Sequence, residues 1–376
     1  MRIFLMGATP SFDIVEGQSI DERLAKTGGN TGNQVIAYGL LKSLSYEDVC
    51  WDYGIGPRRV DEEYDLILIA AANFLFPGFD FGGMASFIEQ TKLPVAVAGL
   101  GAQSNDYSPA IPLKPGTERL IKVLSERARS IGVRGPFTAE VLNHFGVHNV
   151  EVLGCPSFYM RGAAGFVVER SLATHPRVAI NLSRDVVKHS FDASQASRLL
   201  ESAIDYGIAT GADFVSQTET LEMAIEVTPP GDERDAMIVR LRAALFGQGE
   251  GHEGFEAWAA GHLRTFWSVD DWCAAMRGYG LVFGQRFHGN MIALASGTPA
   301  VWIHHDSRTE EMCRLLGLPA ISLAEASGLD LARISERFSL DTIQKNYPRL
   351  FETFLAFLRR NGLMPLADRP ALHAAE

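Results

Sequence analysis

Short apolar runs alternate along the chain with segments that carry apolar residues every three or four positions. The first run, Arg2–Gly7, predicts a β-strand, and Asn33–Leu44 predicts a helix with Ile36, Leu40 and Leu44 on one face. The next runs, Asp65–Ala72 and Pro94–Gly99, are continuously apolar. Such strands are typical of a parallel sheet that is covered on both faces. The alternation therefore predicts successive β/α units.

Ser157–Pro176 interrupts this alternation with glycine and proline, and the strand–helix pattern restarts at Arg177. The most irregular segment, 218–263, is acidic and glycine-rich, and it predicts an insertion with one helix at Asp232–Phe246. A long amphipathic helix is expected at Pro348–Arg360 near the end of the chain. The expected division is an N-terminal domain at 1–160, a linker at 161–176, a C-terminal domain at 177–340 that carries the insertion, and a helix with a tail at 341–376.

Two such alternations predict an α/β protein with two doubly wound, Rossmann-like domains that face each other across a cleft. The C-terminal helix is expected to pack back onto them. In sheets of this kind ligands bind beyond the carboxyl ends of the strands. The residues that follow each strand are therefore the candidates for a functional site.

Composition and charge narrow the class of protein. The 376 residues are 47% hydrophobic and 21% charged, which is ordinary for a globular protein. With a net charge of −11, the chain lacks the excess of basic residues that is typical of proteins that bind nucleic acid or anionic lipid. No nucleic-acid partner is therefore expected. An anionic ligand would need local arginines or helix N-termini.

The remaining sequence signals favour a reduced, cytoplasmic protein. The four cysteines lie too far apart in sequence for a zinc-ribbon spacing. The N-terminus lacks the pattern of a signal peptide. The longest apolar stretch, Leu66–Phe76, is shorter than the ~20 residues of a membrane span, although peripheral association with a membrane stays open.

Two glycine-rich loops are candidate ligand loops. The first, Gly28–Asn33, contains Asn30, Gly32 and Asn33 and begins a helix, so it fits either a binding loop or an ordinary helix start. The second, Gly99–Ser104, follows a predicted strand and contains Gln103. It fits a ligand loop or a simple turn equally well.

Arginine and histidine at two strand ends are stronger candidates. Arg134 ends a predicted strand, where it could bind a carboxylate or phosphate or form a salt bridge at the sheet edge. Arg286 and His288 lie two residues apart at a helix start, which combines a bidentate cation with a titratable ring. From the residues alone, His288 fits either catalysis or a structural role.

A further polar segment, His304–Arg308, follows another strand and adds Asp306 and Arg308 to the same edge. Two histidines beside an aspartate are reminiscent of metal ligands. Neighbouring residues on an extended chain point in opposite directions, however, so no metal site is expected.

Four segments occur in the order seen in the polysaccharide pyruvyl transferase family, which the chain resembles over most of residues 28–160 and 265–320. They are GGNTGNQVIAYGLLKSL, PVAVAGLGAQS, IGVRGPFTAEVLNHFGVHNVEVLGCPS and LVFGQRFHGNMIALASGTPAVWIHHDSRTEEMCRLLGLP. The resemblance implies the two-domain GT-B-like fold. It also implies transfer of pyruvate from phosphoenolpyruvate to a sugar of a cell-surface polysaccharide or its precursor as a ketal, with no metal or other cofactor.

The resemblance also implies roles for individual residues. Arg286 and His288 match an Arg-x-His motif, which implies phosphate binding and acid catalysis, and Arg134 matches an arginine that binds the donor. Asn30, Gly32 and Asn33 match a loop near the cleft, while Asp306 and Arg308 occupy the place of an Asp-x-Lys pair. Gln103 is expected to bind substrate from its loop.

The chain departs from the family pattern at three places. Ala70–Ala72 stand where the family has three glycines, Cys155 stands where it has aspartate before proline, and Phe287 stands where leucine is commoner. Two alternatives therefore stay open: a GT-B glycosyltransferase that uses a nucleotide sugar, and an inactive sugar-binding homologue.

Overall fold

The computed structural model describes residues 1–52, 54–104, 106–247 and 252–368. Its strands form two six-stranded parallel sheets, ordered β2-β1-β3-β4-β5-β6 and β12-β11-β10-β7-β8-β9. The first sheet contains β1 (Arg2–Gly7), β2 (Asp48–Cys50), β3 (Leu66–Ala70), β4 (Val95–Leu100), β5 (Ala128–Val133) and β6 (Val150–Val152). The second contains β7 (Val178–Asn181), β8 (Asp213–Ser216), β9 (Leu263–Thr265), β10 (Leu281–Gly284), β11 (Ala300–His304) and β12 (Ala320–Ser322). The predicted fold class, two Rossmann-like domains in a GT-B-like arrangement, is confirmed.

Helices connect the parallel strands and cover the sheets. They are α1 (Ile20–Lys26), α2 (Asn33–Lys42), α3 (Pro57–Glu63), α4 (Gly82–Glu89), α5 (Pro115–Arg127), α6 (Pro136–His144), α7 (Ala193–Thr210), α8 (Thr220–Val227), α9 (Asp232–Phe246), α10 (Phe255–His262), α11 (Val269–Met276), α12 (Phe287–Ala295), α13 (Ser307–Leu316), α14 (Leu323–Ser327) and α15 (Asp341–Arg360). Short 3₁₀ helices occur at Pro156–Tyr159, Gly162–Ala164, Arg184–His189, Leu331–Arg337 and Leu366–Asp368.

The strand order creates one point in each sheet where the chain reverses its direction of travel. In the first sheet this point lies between β1 and β3, and in the second it lies between β10 and β7. Side chains there leave a crevice at the carboxyl edge, which is where doubly wound sheets bind ligands. The two crevices belong to different halves of the chain, so a site that uses both must lie between the sheets.

The expectation of an irregular insertion at 218–263 is wrong for the part that the structure describes. This segment forms α8, α9, α10 and the edge strand β9, with residues 248–251 outside the described residues. Two of its glycines lie at the ends of helices and not within them. Gly247 follows α9 with φ +64°, and Gly254 precedes α10 with φ +86°. These are conformations that glycine adopts without steric cost.

The C-terminal helix packs back onto the first sheet, as predicted, but begins earlier than the sequence suggested. It starts at Asp341 and contains Pro348 internally. Asn361, which follows it, donates to Ser130 Oγ at 3.0 Å and accepts from the Ser130 amide at 3.2 Å. Residues 369–376 of the expected tail lie outside the described residues. Within the described part of the chain, no helix is long and apolar enough to cross a bilayer.

A test of this packing is the Gly39→Ala substitution. Gly39 lies in α2 against the Pro156–Tyr159 turn, and an added Cβ would lie 2.7 Å from Ser157 Cα and 3.0 Å from the Pro156 carbonyl oxygen. We expect the free energy of unfolding to fall by about 1–3 kcal/mol, the usual cost of overpacking a core. Urea denaturation measures it.

The matched control is Gly261→Ala in α10, where a Cβ would meet no atom within 4 Å. Alanine is the better helix former, so this variant should be as stable as the parent or slightly more stable. Equal midpoints for the parent and Gly39→Ala would contradict the close packing of α2 on the turn.

Candidate functional site

A cleft of ≈ 1560 Å³ opens at the carboxyl edges of both sheets. Residues that follow β1 and β3 line it from the first sheet, and Arg134 follows β5. From the second half of the chain, Thr218, His288 and Arg308 line it. The cleft therefore lies between the two domains and brings together side chains that are far apart in sequence.

The turn that places His288 is held by backbone and amide contacts. The carbonyl of Asn181, at the end of β7, accepts from the amides of Gln285 and Arg286 at 2.9 and 3.0 Å. Asn290 donates to the Gly284 carbonyl at 2.8 Å from within α12. These bonds fix the β10–α12 turn, so His288 enters the first turn of α12 facing the cleft.

His288 is 7% exposed and contacts a thiol from the other domain. Its Nε2 lies 3.4 Å from Cys155 Sγ, and the hydroxyl of Ser157 donates to the same sulfur at 3.1 Å. Burial lowers the pKa of His288 well below its usual range, and the positive charges of Arg134 and Arg308 lower it further. The ring is therefore neutral at neutral pH.

Arg134 is 2% exposed and spans the ends of two strands. Its Nε donates to the Gly99 carbonyl at 2.8 Å and its Nη2 to the Ala71 carbonyl at 3.4 Å. The side chain passes over Gly101, where a Cβ would lie 2.9 Å from Arg134 Cδ. Burial lowers the pKa of Arg134. The glycine-rich loop after β4 thus makes room for a buried cation.

Arg308 is the cleft-lining cation of the second domain. Its Nη2 lies 3.4 Å from Asp306 Oδ2, and its buried Nε has no hydrogen-bond partner among the described residues. Asp306 is buried and caps α13 by accepting from the Thr309 amide at 2.8 Å. Burial alone would raise the pKa of Asp306, but Arg308, His305 and the hydrogen bonds from Thr309 together outweigh it and the pKa is lowered. Asp306 therefore acts as an anionic helix cap that holds Arg308.

Arg286 lies behind the cleft surface and forms an ion pair with a buried carboxylate. Its Nη2 lies 2.5 Å from Glu219 Oε1 and also donates to Ser183 Oγ at 2.7 Å and to Thr218 Oγ1. Burial would raise the pKa of Glu219, but Arg286 and the hydrogen bonds lower it to about 2. Arg286 Nε is buried without a hydrogen-bond partner within the described residues. Thr218, which does line the cleft, lies between this pair and the open space.

The loop before α2 closes against the second domain. Asn30 and Asn33 line the cleft, and the Thr31 amide donates to the Gln217 carbonyl at 3.0 Å. A Cβ on Gly32 would lie 2.4 Å from Gln217 Oε1 and 3.2 Å from His288 Cβ. The loop therefore passes in close contact with these side chains, and a larger residue at position 32 would have to displace them.

Gln103 is not among the described residues that line the cleft. Its Oε1 accepts from Asn73 Nδ2 at 2.6 Å, and Asn73 is the member of this pair that lines the space. The structure thus places Gln103 behind Asn73, and its role in substrate binding stays a prediction.

Sequence reasoning missed two buried glutamates. Glu219 lies in the segment that was expected to be an insertion. Glu311, in α13, accepts from Thr138 Oγ1 at 2.7 Å and from the Thr138 amide at 3.2 Å across the domain boundary. Burial raises the pKa of Glu311 to about 7. The side chains across the site that pair with them, Arg286 and Thr138, are distant in sequence, so no local pattern could identify these pairs.

His305 is the other buried histidine at this edge. It is 1% exposed, and burial lowers its pKa to about 4. Across the described ranges, no three His, Cys, Asp or Glu side chains form a group that could hold a metal ion.

Comparison with known proteins identifies the family. A sequence profile described as polysaccharide pyruvyl transferase matches residues 30–307, more than half of the chain. The matched range includes every candidate residue described above except Arg308, which follows its end directly, and Glu311. No curated protein is similar enough to match the chain.

Solved structures give weaker likenesses. A UDP-GlcNAc 2-epimerase from Methanocaldococcus jannaschii, in complex with UDP-GlcNAc and UDP, is 9% identical with a TM-score of 0.43, covering 96% of this chain and 99% of its own. A putative UDP-N-acetylglucosamine 2-epimerase from Listeria monocytogenes is 15% identical with a TM-score of 0.40, covering 96% and 91%. The E. coli heptosyltransferase WaaC with ADP is 9% identical with a TM-score of 0.32, covering 94% and 100%. Likenesses at this level carry no information about substrate.

The Arg286→Ala substitution tests the buried ion pair. It leaves Glu219 charged and unpaired in a buried position, so we expect a loss of about 3–5 kcal/mol in the free energy of unfolding. The double variant Arg286→Ala/Glu219→Gln should recover a large part of that loss, because the stranded charge is gone. Urea denaturation of the parent and both variants measures the effect.

Arg58→Ala serves as the control, since Arg58 pairs with Glu62 on the surface and is 93% exposed. Its midpoint should match that of the parent. If the double variant were no more stable than Arg286→Ala, the instability would have a cause other than the unpaired carboxylate.

The Glu311→Gln substitution tests the buried carboxyl at the domain boundary. Because the pKa of Glu311 is raised from 4.5 to about 7 in the folded state, its stabilising contribution is complete below pH 4.5 and is lost as pH rises through 7. The parent should lose up to about 3 kcal/mol over that interval relative to Glu311→Gln, which stays neutral. Urea midpoints across this pH range measure the difference.

The Glu311→Gln variant also loses one carboxylate oxygen that accepts from the Thr138 amide. This loss lowers its free energy of unfolding by an amount that does not depend on pH. Glu62→Gln, on the surface, should give a flat difference from the parent. A flat difference for Glu311→Gln as well would show that folding does not raise the pKa of Glu311.

Proposed function

The chain belongs to the polysaccharide pyruvyl transferase family, and on that premise we propose that it transfers pyruvate from phosphoenolpyruvate to a sugar as a cyclic ketal. The observation that carries the donor assignment is the set of cleft-lining side chains Arg134, Arg308 and His288. Phosphoenolpyruvate carries a carboxylate and a phosphate, which are the anions that arginine binds best.

The charge of the protein makes these two arginines important. With a net charge of −11, the overall field repels an anionic donor. Arg134 and Arg308 supply two positive charges in a largely buried place, where attraction is stronger than in water. Arg308 Nε also lacks a hydrogen-bond acceptor among the described residues, since the ion pair with Asp306 uses Nη2. A donor phosphate would satisfy it.

His288 is proposed to move the protons. Protonation of the methylene carbon of phosphoenolpyruvate makes C2 electrophilic, so that a sugar hydroxyl attacks it. Phosphate then leaves, and a second hydroxyl of the sugar closes the ketal. His288 lines the cleft beside both arginines, which makes this titratable side chain the candidate for general acid–base catalysis.

The opposite end of the cleft is proposed to hold the acceptor. Phe12 and Trp51 line it together with the carboxylates of Asp13 and Asp52. Trp51 and Asp52 follow β2, which lies four strand positions from β5 and hence roughly 19 Å from the strand that carries Arg134. Aromatic faces suit a sugar ring, and the carboxylates favour a neutral or positively charged acceptor over an anionic one.

A direct test is to incubate the protein with phosphoenolpyruvate and sugar acceptors, and to measure released phosphate together with the mass of the pyruvylated product. Arg308→Ala should weaken donor binding by one to two orders of magnitude, because each lost charge-assisted hydrogen bond contributes about 1.5–3 kcal/mol. His288→Ala should bind the donor nearly as well as the parent while kcat falls by about 10²–10⁴-fold.

Arg58→Ala, a surface substitution, is the control for both measurements. If the protein neither consumed nor bound phosphoenolpyruvate at millimolar concentration, the proposal would be refuted. Thermal stabilisation by nucleotide sugars alone would favour the glycosyltransferase alternative instead. Unchanged turnover in His288→Ala, with only a lower melting temperature, would give the ring a structural role.

A further inference from the structure

The contact between Cys155 and His288 joins two reactive side chains from different domains. Cys155 is fully buried directly before the Pro156–Tyr159 turn, and its sulfur lies 3.4 Å from Nε2 of His288. Between Cys155 and His288 only the histidine lines the cleft. The thiol thus contacts the ring on the side where it is covered by protein.

The hydrogen-bond pattern defines the direction of this contact. Ser157 Oγ donates to the sulfur at 3.1 Å, so the sulfur already acts as an acceptor. A thiol has one hydrogen to donate, and the Nε2 of a neutral imidazole is an acceptor when the ring proton is on Nδ1. A chain of two donations, from Ser157 to Cys155 and from Cys155 to His288, satisfies all three groups.

We propose that Cys155 is a positioning residue that holds His288 in the tautomer with its proton on Nδ1, and that it replaces this proton through Nε2 during turnover. In the first half of the reaction, Nδ1 gives its proton to the methylene carbon of the donor while Nε2 takes the thiol proton. The ring stays neutral and Cys155 becomes a thiolate. When a sugar hydroxyl later gives its proton to Nδ1, Nε2 returns its proton to the sulfur.

The charges around the pair suit this exchange. Arg134, Arg308, Asp306, Glu311 and Tyr159 are the charged or titratable groups among the described residues that interact with the two side chains or with Arg134 itself. Arg134 interacts electrostatically with Cys155, so a buried cation lies near the sulfur when its proton moves to the ring. Burial, together with the charges of Arg134 and Arg308, keeps His288 neutral, which is the state that the exchange requires.

The tautomer is testable without any substrate, although the exchange rests on the proposed function. In protein labelled with ¹⁵N-histidine, long-range ¹H–¹⁵N spectra distinguish a protonated Nδ1 from a protonated Nε2. The His288 signals are identified by their loss in His288→Gln. We expect Nδ1–H for His288 in the parent and in Cys155→Ser, and a shift toward Nε2–H in Cys155→Ala.

Kinetics test the exchange. With phosphoenolpyruvate as donor, Cys155→Ala should lower kcat by about 10²-fold or more, the scale of a lost proton-transfer step, while KM for the donor changes little. Cys155→Ser keeps a donating hydroxyl and should recover most of that loss. Cys273→Ala, which removes a cysteine that does not line the cleft, should match the parent.

The two proposals fail in different ways. Parent protein that consumes phosphoenolpyruvate with a kcat equal to that of Cys155→Ala would overturn the exchange and leave the function intact. Nε2–H in the parent, or an unchanged tautomer in Cys155→Ala, would overturn the positioning role. Parent protein without donor turnover refutes the function, and the spectra then still decide the tautomer.

Discussion

Burial of charge between the two domains is the constraint on which the site depends. Arg134, Glu219 and Asp306 are each 2% exposed or less, and a buried charge without a partner is strongly unfavourable. Glu219 forms an ion pair with Arg286, and Asp306 forms one with Arg308. Arg134 donates hydrogen bonds to carbonyls at the ends of β3 and β4. The pairing fixes where each cation lies, so the site is organised before any ligand arrives.

The same ion pairs determine which arginine is free to contact a ligand in the cleft. Arg286 has its Nη2 committed to Glu219, whereas Arg308 has only a 3.4 Å contact to Asp306 and lines the cleft. Arg286 and His288 lie two residues apart in sequence, yet His288 lines the cleft and Arg286 lies behind its surface. A motif of adjacent residues can therefore supply one group to the cleft and another to the structure behind it.

The sequence could predict what depends on local pattern. Periodicity located Arg2–Gly7 and the start of the helix at Asn33, and the positions of Arg134 and His288 at strand ends followed from the rule for doubly wound sheets. It could not predict Glu311 beside Thr138 or Cys155 beside His288, because those contacts join elements more than 130 residues apart. The sequence pattern also predicted too little regular structure at 218–263. Glycines at the ends of its helices look, in sequence, like glycines in a loop.

The return of α15 to the first sheet gives the molecule a second covalent crossing between its domains. The chain passes once between β6 and β7 and once more before α15, which then lies against β5 and beside α13. Two covalent connections restrict the relative motion of the domains more than one connection would, because each limits how far the domains can separate. The placement of one domain against the other is therefore constrained by the path of the chain as well as by packing.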